Sequence, residues 1–238
     1  MRTQFKKSLG ALAGIALIIP VATSLFSRGA HADSSITDSR IQLGYAAVPL
    51  GLQLNMKGLN PALVGIGSYI VNAQADCNGC HTSNPITEYN DPGNPYFNQH
   101  PARVNLSGYL AGGNNFGPVG AGIVNGVIGP GPDIITRNLT PDHTGLPEGG
   151  HTLSEFMDIL RTGHDYDKLH LNCSSAVTDN CYFATPGNEI DGSLLQIMPW
   201  PTFSHMSDND IEAIYEYLRA VPCNANASSP YPWVRNVC

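Results

Sequence analysis

The sequence predicts an all-α fold: a few short helices joined by long Gly/Pro-rich loops. Three observations carry that expectation. Apolar residues recur at helical spacing, behind capping residues, over 61–73, over 153–162 and after Ser207. The 238 residues include 25 Gly and 18 Pro but only 13% charged residues, which suits ordered loops better than a broad sheet. No repeat or heptad pattern is present, and a compact cysteine–histidine cluster directly follows the first helical stripe.

Taken in chain order, residues 1–32 read as a secretory signal peptide. Arg2, Lys6 and Lys7 form a basic start, Leu9 to Leu25 is mostly apolar, and Ala30-His31-Ala32 is an A-x-A cleavage site. The mature chain is then expected to start at Asp33. An uncleaved anchor is the competing reading, but the apolar run is short, contains Pro20 and leads into that cleavage site. The expected location is the periplasm or the exterior, with no membrane span in the mature chain. Residues 1–32 hold four of the 12 basic residues and no acidic one. Cleavage therefore leaves 8 basic against 19 acidic residues, a net charge near −11. Such a surface argues against nucleic acid or an anionic membrane as partner.

Residues 33–60 carry isolated apolar residues (Ile41, Leu43, Leu50, Leu52 and Leu54) and read as an extension strapped over the domain. Asn60-Pro61 opens a helix, Asn60 as N-cap and Pro61 at the first helical position. Leu63, Val64, Ile66, Tyr69, Ile70 and Ala73 form its apolar stripe. Gly65 and Gly67 lower its intrinsic helicity but allow another helix to cross closely.

That helix runs into Asp76-Cys77-Asn78-Gly79-Cys80-His81, a C-x-x-C-H motif. On a helix, Cys77, Cys80 and His81 share one face. Two thiols can then bind the two vinyl groups of one porphyrin while the imidazole reaches its iron. The motif therefore reads as the attachment site of haem c (heme c, one iron), with Gly79 letting the flat macrocycle lie near the backbone. A thioredoxin-like thiol pair would want a βαβ setting, which the Gly-rich sequence downstream does not suggest, and a zinc site a second closely spaced ligand pair, whereas the sequence has no second C-x-x-C.

Residues 82–150 are rich in Gly, Pro and Asn and show no period, though Gly122-Ile123-Val124 and Ile134-Ile135-Thr136 have the character of short strands. A loop of this length suits wrapping around a cofactor edge. A proline carbonyl in it, from Pro85 or Pro118, is expected to take the ring N–H of His81. Thr152-Leu153-Ser154-Glu155 is a capping box for a helix with Phe156, Ile159 and Leu160 inward and Gly163 as its stop.

An iron held by His81 takes a second axial ligand. Met56, Met157, Met198 and Met206 remain after signal removal. Met198 has the best setting, because Gln196-Ile197-Met198-Pro199-Trp200-Pro201 is apolar and stiffened by two prolines. Met206 is its rival, and His151, His164, His170 and His205 are the bis-histidine alternatives. Trp200 is expected to pack on the cofactor, bond one of its carboxylates, or sit in the core. Ser207-Asp208-Asn209-Asp210 caps a last helix, whose stripe of Ile211, Ile214, Tyr215 and Leu218 is suited to crossing the helix at 61–73. Cys173, Cys181, Cys223 and Cys238 allow three pairings, most simply 173–181 and 223–238.

These stretches resemble class I c-type cytochrome domains, the monohaem proteins and electron-transfer subunits of periplasmic dehydrogenases. The matching patches are Gly67-Ser68-Tyr69-Ile70-Val71 into Cys77-Asn78-Gly79-Cys80-His81-Thr82, Leu110-Ala111-Gly112-Gly113, and Asn138-Leu139-Thr140-Pro141-Asp142 with Thr144-Gly145. Arg161-Thr162-Gly163, Met198-Pro199-Trp200, Met206-Ser207-Asp208 and Tyr217-Leu218-Arg219 complete them. The resemblance implies a cytochrome c domain over 61–222 with a tail over 223–238. It also implies thioether bonds at Cys77 and Cys80 and axial ligation by His81 and Met198. The function it implies is one-electron transfer between redox partner proteins, a periplasmic dehydrogenase and an oxidase or reductase. The alternatives are a haem enzyme or small-molecule sensor with an open distal site, for which His164 near Arg161 is the local candidate, and a subunit whose haem wires a larger complex.

Overall fold

The computed structural model describes residues 39–118, 121–124, 127–130, 133–166, 181–185, 188–189 and 193–238. The expected signal peptide therefore lies outside the described residues. Six α-helical segments occur among them: α1 over 39–47, α2 Pro61–Tyr69, α3 Cys77–His81, α4 Leu153–Thr162, α5 Trp200–Phe203 and α6 Asp208–Ala220. One π-helical turn, Ile70–Gln74, carries α2 toward α3. No described helix is long and apolar enough to cross a membrane.

The helix ends follow local chemistry. Asn60 accepts from the Ala62 N–H with Pro61 behind it, and Ser207 accepts from the Asp210 N–H. Thr152 and Glu155 close a reciprocal capping box, and Gly163 ends α4 at φ 75°.

The core forms where α1, α2 and α6 stack. A Cβ on Gly67 would lie 1.9 Å from the Ala213 carbonyl oxygen of α6, so the bare Cα is what lets α2 and α6 touch backbone to backbone. On the other side of α2, a Cβ on Gly44 of α1 would lie 1.8 Å from the Gly65 carbonyl oxygen. Both α2 glycines thus serve crossings, Gly65 against α1 and Gly67 against α6. A buried polar chain spans the same stack. Ser68 Oγ donates to the Gly44 carbonyl at 2.7 Å, and Asn72 Nδ2 reaches the Ser68 hydroxyl at 3.1 Å and the Tyr217 hydroxyl at 3.1 Å. The Tyr109 hydroxyl lies 2.6 Å from Asn72 Oδ1 and 2.8 Å from the Tyr217 hydroxyl. Burial drives the pKa of Tyr109 and of Tyr217 upward, so both hydroxyls keep their protons.

Two findings depart from the sequence expectation. The extension begins with a helix, α1, which buries Gly44 and packs Ile41 against the core while Leu43 and Leu50 face solvent. The fold is also not purely helical. β1 Asn115–Pro118 pairs antiparallel with β4 Asp133–Ile135. β2 Ala121–Val124, β3 Val127–Pro130, β5 Cys181–Thr185 and β6 Asn188–Glu189 form a second sheet in the order β3-β2-β5-β6. β1–β4 and β2–β3 pair within the 82–150 stretch and β2 also pairs with β5 beyond α4, so loop backbone groups find partners in one another. The described residues are mostly helical with two small sheets.

The tail over 223–238 is tied down. Cys223 and Cys238 form a disulfide, as the simplest pairing predicts, whereas Cys173 lies outside the described residues. Asparagines do the rest: Asn138 donates to the Asn224 and Val234 carbonyls, Asn236 to Thr140, and Asn226 to the Ala111 and Gly112 carbonyls. Closing a 15-residue loop is worth about 3 kcal/mol in the chain-entropy account. The double variant Cys223→Ser/Cys238→Ser is therefore expected to melt roughly 6–12 °C lower than the wild type, as read by a thermal melt under non-reducing conditions.

Candidate cofactor site

The site is built on α3. Asp76 sits in the left-handed region at φ 47° and turns the chain off the π-helical turn into the five residues Cys77–His81. The side of α3 away from the cavity is pinned by Asn78. Its Nδ2 donates to Glu88 Oε1 at 2.9 Å and its Oδ1 accepts from the Leu110 N–H at 2.9 Å. Gly79 has a local reason as well: a Cβ there would lie 2.6 Å from the Asp76 carboxylate.

Cys77 is half-buried and Cys80 exposed, and they are not bonded to each other. Burial first, then the Asp76 and Cys80 charges, push the Cys77 thiol up to about 12. Burial, then Asp76 and Glu88, raise the Cys80 thiol too. Such thiols are the reverse of a low-pKa redox pair.

His81 is held from two sides. Its Nδ1 lies 2.8 Å from the Arg137 carbonyl oxygen, which can only accept, so Nδ1 carries the proton and Nε2 keeps its lone pair. Burial lowers the His81 pKa, favouring the neutral ring. The acceptor is thus Arg137 and neither Pro85, which lies in an exposed turn, nor Pro118, which ends β1. Gly112 explains why. At φ 66°, its Cα passes so near Arg137 that a Cβ would lie 2.3 Å from the carbonyl carbon and oxygen. The Gly112 N–H meanwhile donates to the His81 carbonyl at 2.7 Å. Gly113 N–H to Thr136 O and Leu139 N–H to Leu110 O extend this bracket on either side.

Cys77, Cys80 and His81 line one mostly apolar cavity, about 1240 Å³ when the solvent-open space at its mouth is included. Val71, Ile134, Leu139, Phe156, Ile214 and Leu218 supply apolar wall, and Met198 and Met206 both line it. The Met198 segment is tightly bent: Ile197 is left-handed at φ 68°, Met198 N–H donates to Gln196 O at 2.7 Å, and Trp200 N–H to Met198 O at 2.8 Å. A β-branched residue at positive φ carries strain of roughly 1–3 kcal/mol, which the surrounding structure must hold. Asp76, Thr136, Glu148 and Gln196 also border the cavity, and its wall holds an ion pair in which Arg137 Nη2 meets Asp165 Oδ1 at 2.7 Å.

The other candidates lie elsewhere. Met157 and Met56 pack against the core but do not line the cavity. His151 faces Glu155, His205 is exposed, and His170 lies outside the described residues. His164 bonds Asp158 at 3.1 Å and stacks on Tyr166, while Arg161 bonds the Ser204 carbonyl and Asp208. Trp200 is a structural brace: its ring N–H donates to Leu195 O at 3.2 Å and its face covers Gly163.

The donor set fits the group the motif implies, since two thiols, an Nε2 lone pair and a thioether reach one apolar cavity. Among the described residues no group of three or more His, Cys, Asp or Glu converges as a metal cage. No family model, curated protein or solved structure matches the chain. Sequence reasoning gave no role to Arg137 or Asp165, and named Gly112 only within the Leu110-Ala111-Gly112-Gly113 patch, because their roles come from contacts between distant segments.

Proposed function

We propose that the chain carries one electron at a time on a covalently bound haem c in a periplasmic respiratory or dehydrogenase-linked chain. The observation that carries this reading is the shared cavity. Cys77, Cys80, His81 and Met198 line one apolar space, with His81 already in the tautomer that leaves Nε2 for a metal. Bound there, the haem iron supplies a reversible one-electron couple, and no substrate chemistry is asked of the protein.

The residues divide the remaining work. Cys77 and Cys80 anchor, one within the wall and one at the exposed side. The Arg137 carbonyl orients the His81 ring and increases its basicity. Met198 gives a thioether, which favours the reduced state relative to a second histidine. The apolar lining excludes water. Cys80 would hold the group at the solvent-exposed side of the site, the side from which redox partner proteins would approach. The Cys223–Cys238 disulfide is compatible with an oxidising compartment.

A haem enzyme or sensor would need polarising groups over an open distal position. Its local candidates, His164 and Arg161, are engaged with Asp158 and Asp208 and do not line the cavity. The test is an optical spectrum of periplasmically expressed protein, oxidised and reduced, beside Met198→Ala and Met206→Ala. The expected result is a weak far-red methionine-to-iron band in the oxidised wild type that Met198→Ala alone abolishes. High-spin oxidised iron without that band would overturn the carrier reading in favour of an open distal site.

A further inference from the structure

The cavity contains one buried ion pair for which electron carriage by itself gives no reason. Arg137 and Asp165 stand 2.7 Å apart with side chains 11% and 5% exposed. Burying two charges is costly, and such a pair is weak support for stability, so its placement calls for a reason. Its two ends belong to the two segments that present the ligands. Arg137 is the residue whose carbonyl takes the His81 ring N–H. Asp165 lies on a stretch zipped to the approach to Met198: Asp165 N–H donates to Ser193 O, Leu195 N–H donates to Gly163 O, and His164 and Leu194 pair as a bridge. The ion pair is thus a strut from the histidine side of the cavity to a point three residues before Met198.

Resting on the haem reading above, we propose that Asp165 is a positioning residue for His81 and Met198 and the charge partner that balances Arg137, in a cavity wall that Asp76 and Glu148 also line. Through Arg137 it keeps the carbonyl on His81, and through the 163–165 and 193–195 pairing it keeps the Met198 segment in reach. Its carboxylate also offsets the guanidinium inside a poorly screened space. Taking that negative charge away favours gain of an electron nearby, and a weaker hold on the His81 ring N–H makes the imidazole a poorer donor to oxidised iron. Both effects raise the reduction potential.

The test compares haem-loaded wild type, Asp165→Asn and Arg137→Gln/Asp165→Asn by potentiometric titration. Hydrogen exchange of the His81 ring N–H in the reduced protein is followed by NMR. The amide of Asp165→Asn keeps the shape and an acceptor oxygen while removing one negative charge. The expected results are a raised midpoint potential and faster His81 N–H exchange in Asp165→Asn. In the double variant, which removes one charge of each sign, the potential is expected to return toward wild type. A haem-loaded Asp165→Asn with unchanged potential and exchange overturns the proposal. If Asp165→Asn does not load haem, the double variant decides. Loading with a near-native potential supports the charge balance, and failure there too assigns the pair to folding and overturns it. A wild type without covalent haem is a separate outcome, because it sinks the function reading itself.

Discussion

Gly67→Ala is expected to lose about 3 kcal/mol of stability and to melt roughly 6–12 °C lower, even though helix propensity argues the other way. Alanine in a helix interior is favoured over glycine by about 1 kcal/mol, so on propensity alone the variant would gain. The crossing decides the sign. The new Cβ would sit 1.9 Å from the Ala213 carbonyl oxygen and 2.8 Å from the Tyr217 Cβ, and the first of these is backbone that no rotamer can move away. α2 and α6 must then separate, and the chain of buried hydrogen bonds through Ser68, Asn72, Tyr109 and Tyr217 spans that same stack. Each buried polar group that loses its partner costs about 1–3 kcal/mol, so separation is penalised twice. Gly58→Ala is the control. Gly58 has φ 75° with nothing within 4 Å of a built Cβ, so its replacement meets only the backbone cost of about 1–2 kcal/mol. Thermal melts of the two variants separate the steric from the conformational effect, and equal losses would deny the crossing its role.

The parts of this fold that were legible in the sequence are those set by neighbours along the chain. Asn60, Thr152 with Glu155, and Ser207 each cap a helix through a residue two or three positions on. The tolerance of α2 for close crossing was legible in Gly65 and Gly67, because a glycine inside an apolar stripe has few other uses. Helix α1 was obscured for the complementary reason. Its contact residue is Gly44, which adds nothing to a hydrophobic period, while its more conspicuous Leu43 points to solvent. The acceptor for His81 lies 56 residues away, and β2 meets β5 across the long intervening stretch. Neither pairing leaves a local pattern. The same holds for Arg137 and Asp165, two ordinary charged residues in loops until the backbone brings them into one cavity.

The double variant Cys77→Ser/Cys80→Ser is expected to lose covalently bound haem entirely, a change of kind rather than degree. On a denaturing gel the wild-type band retains haem peroxidase stain and the variant band does not. The stereochemistry of α3 supports this outcome, since its five residues place both thiols and the His81 ring on the cavity while Asn78 ties the opposite side to Glu88 and Leu110. Thiol electrostatics separate this reading from its rivals. A catalytic dithiol works through a thiolate near neutral pH, and Cys77, pushed up to about 12 by burial and by the Asp76 and Cys80 charges, holds its proton far above that range. A zinc site draws on four protein ligands, and among the described residues no group of three or more His, Cys, Asp or Glu converges as a metal cage. If the wild-type band carries no stain while the thiols cycle between dithiol and disulfide, the redox-pair reading replaces the haem. If the wild type is stained and a single thiol suffices for partial stain, the thiols contribute unequally. Half-buried Cys77 is then expected to retain more stain than exposed Cys80.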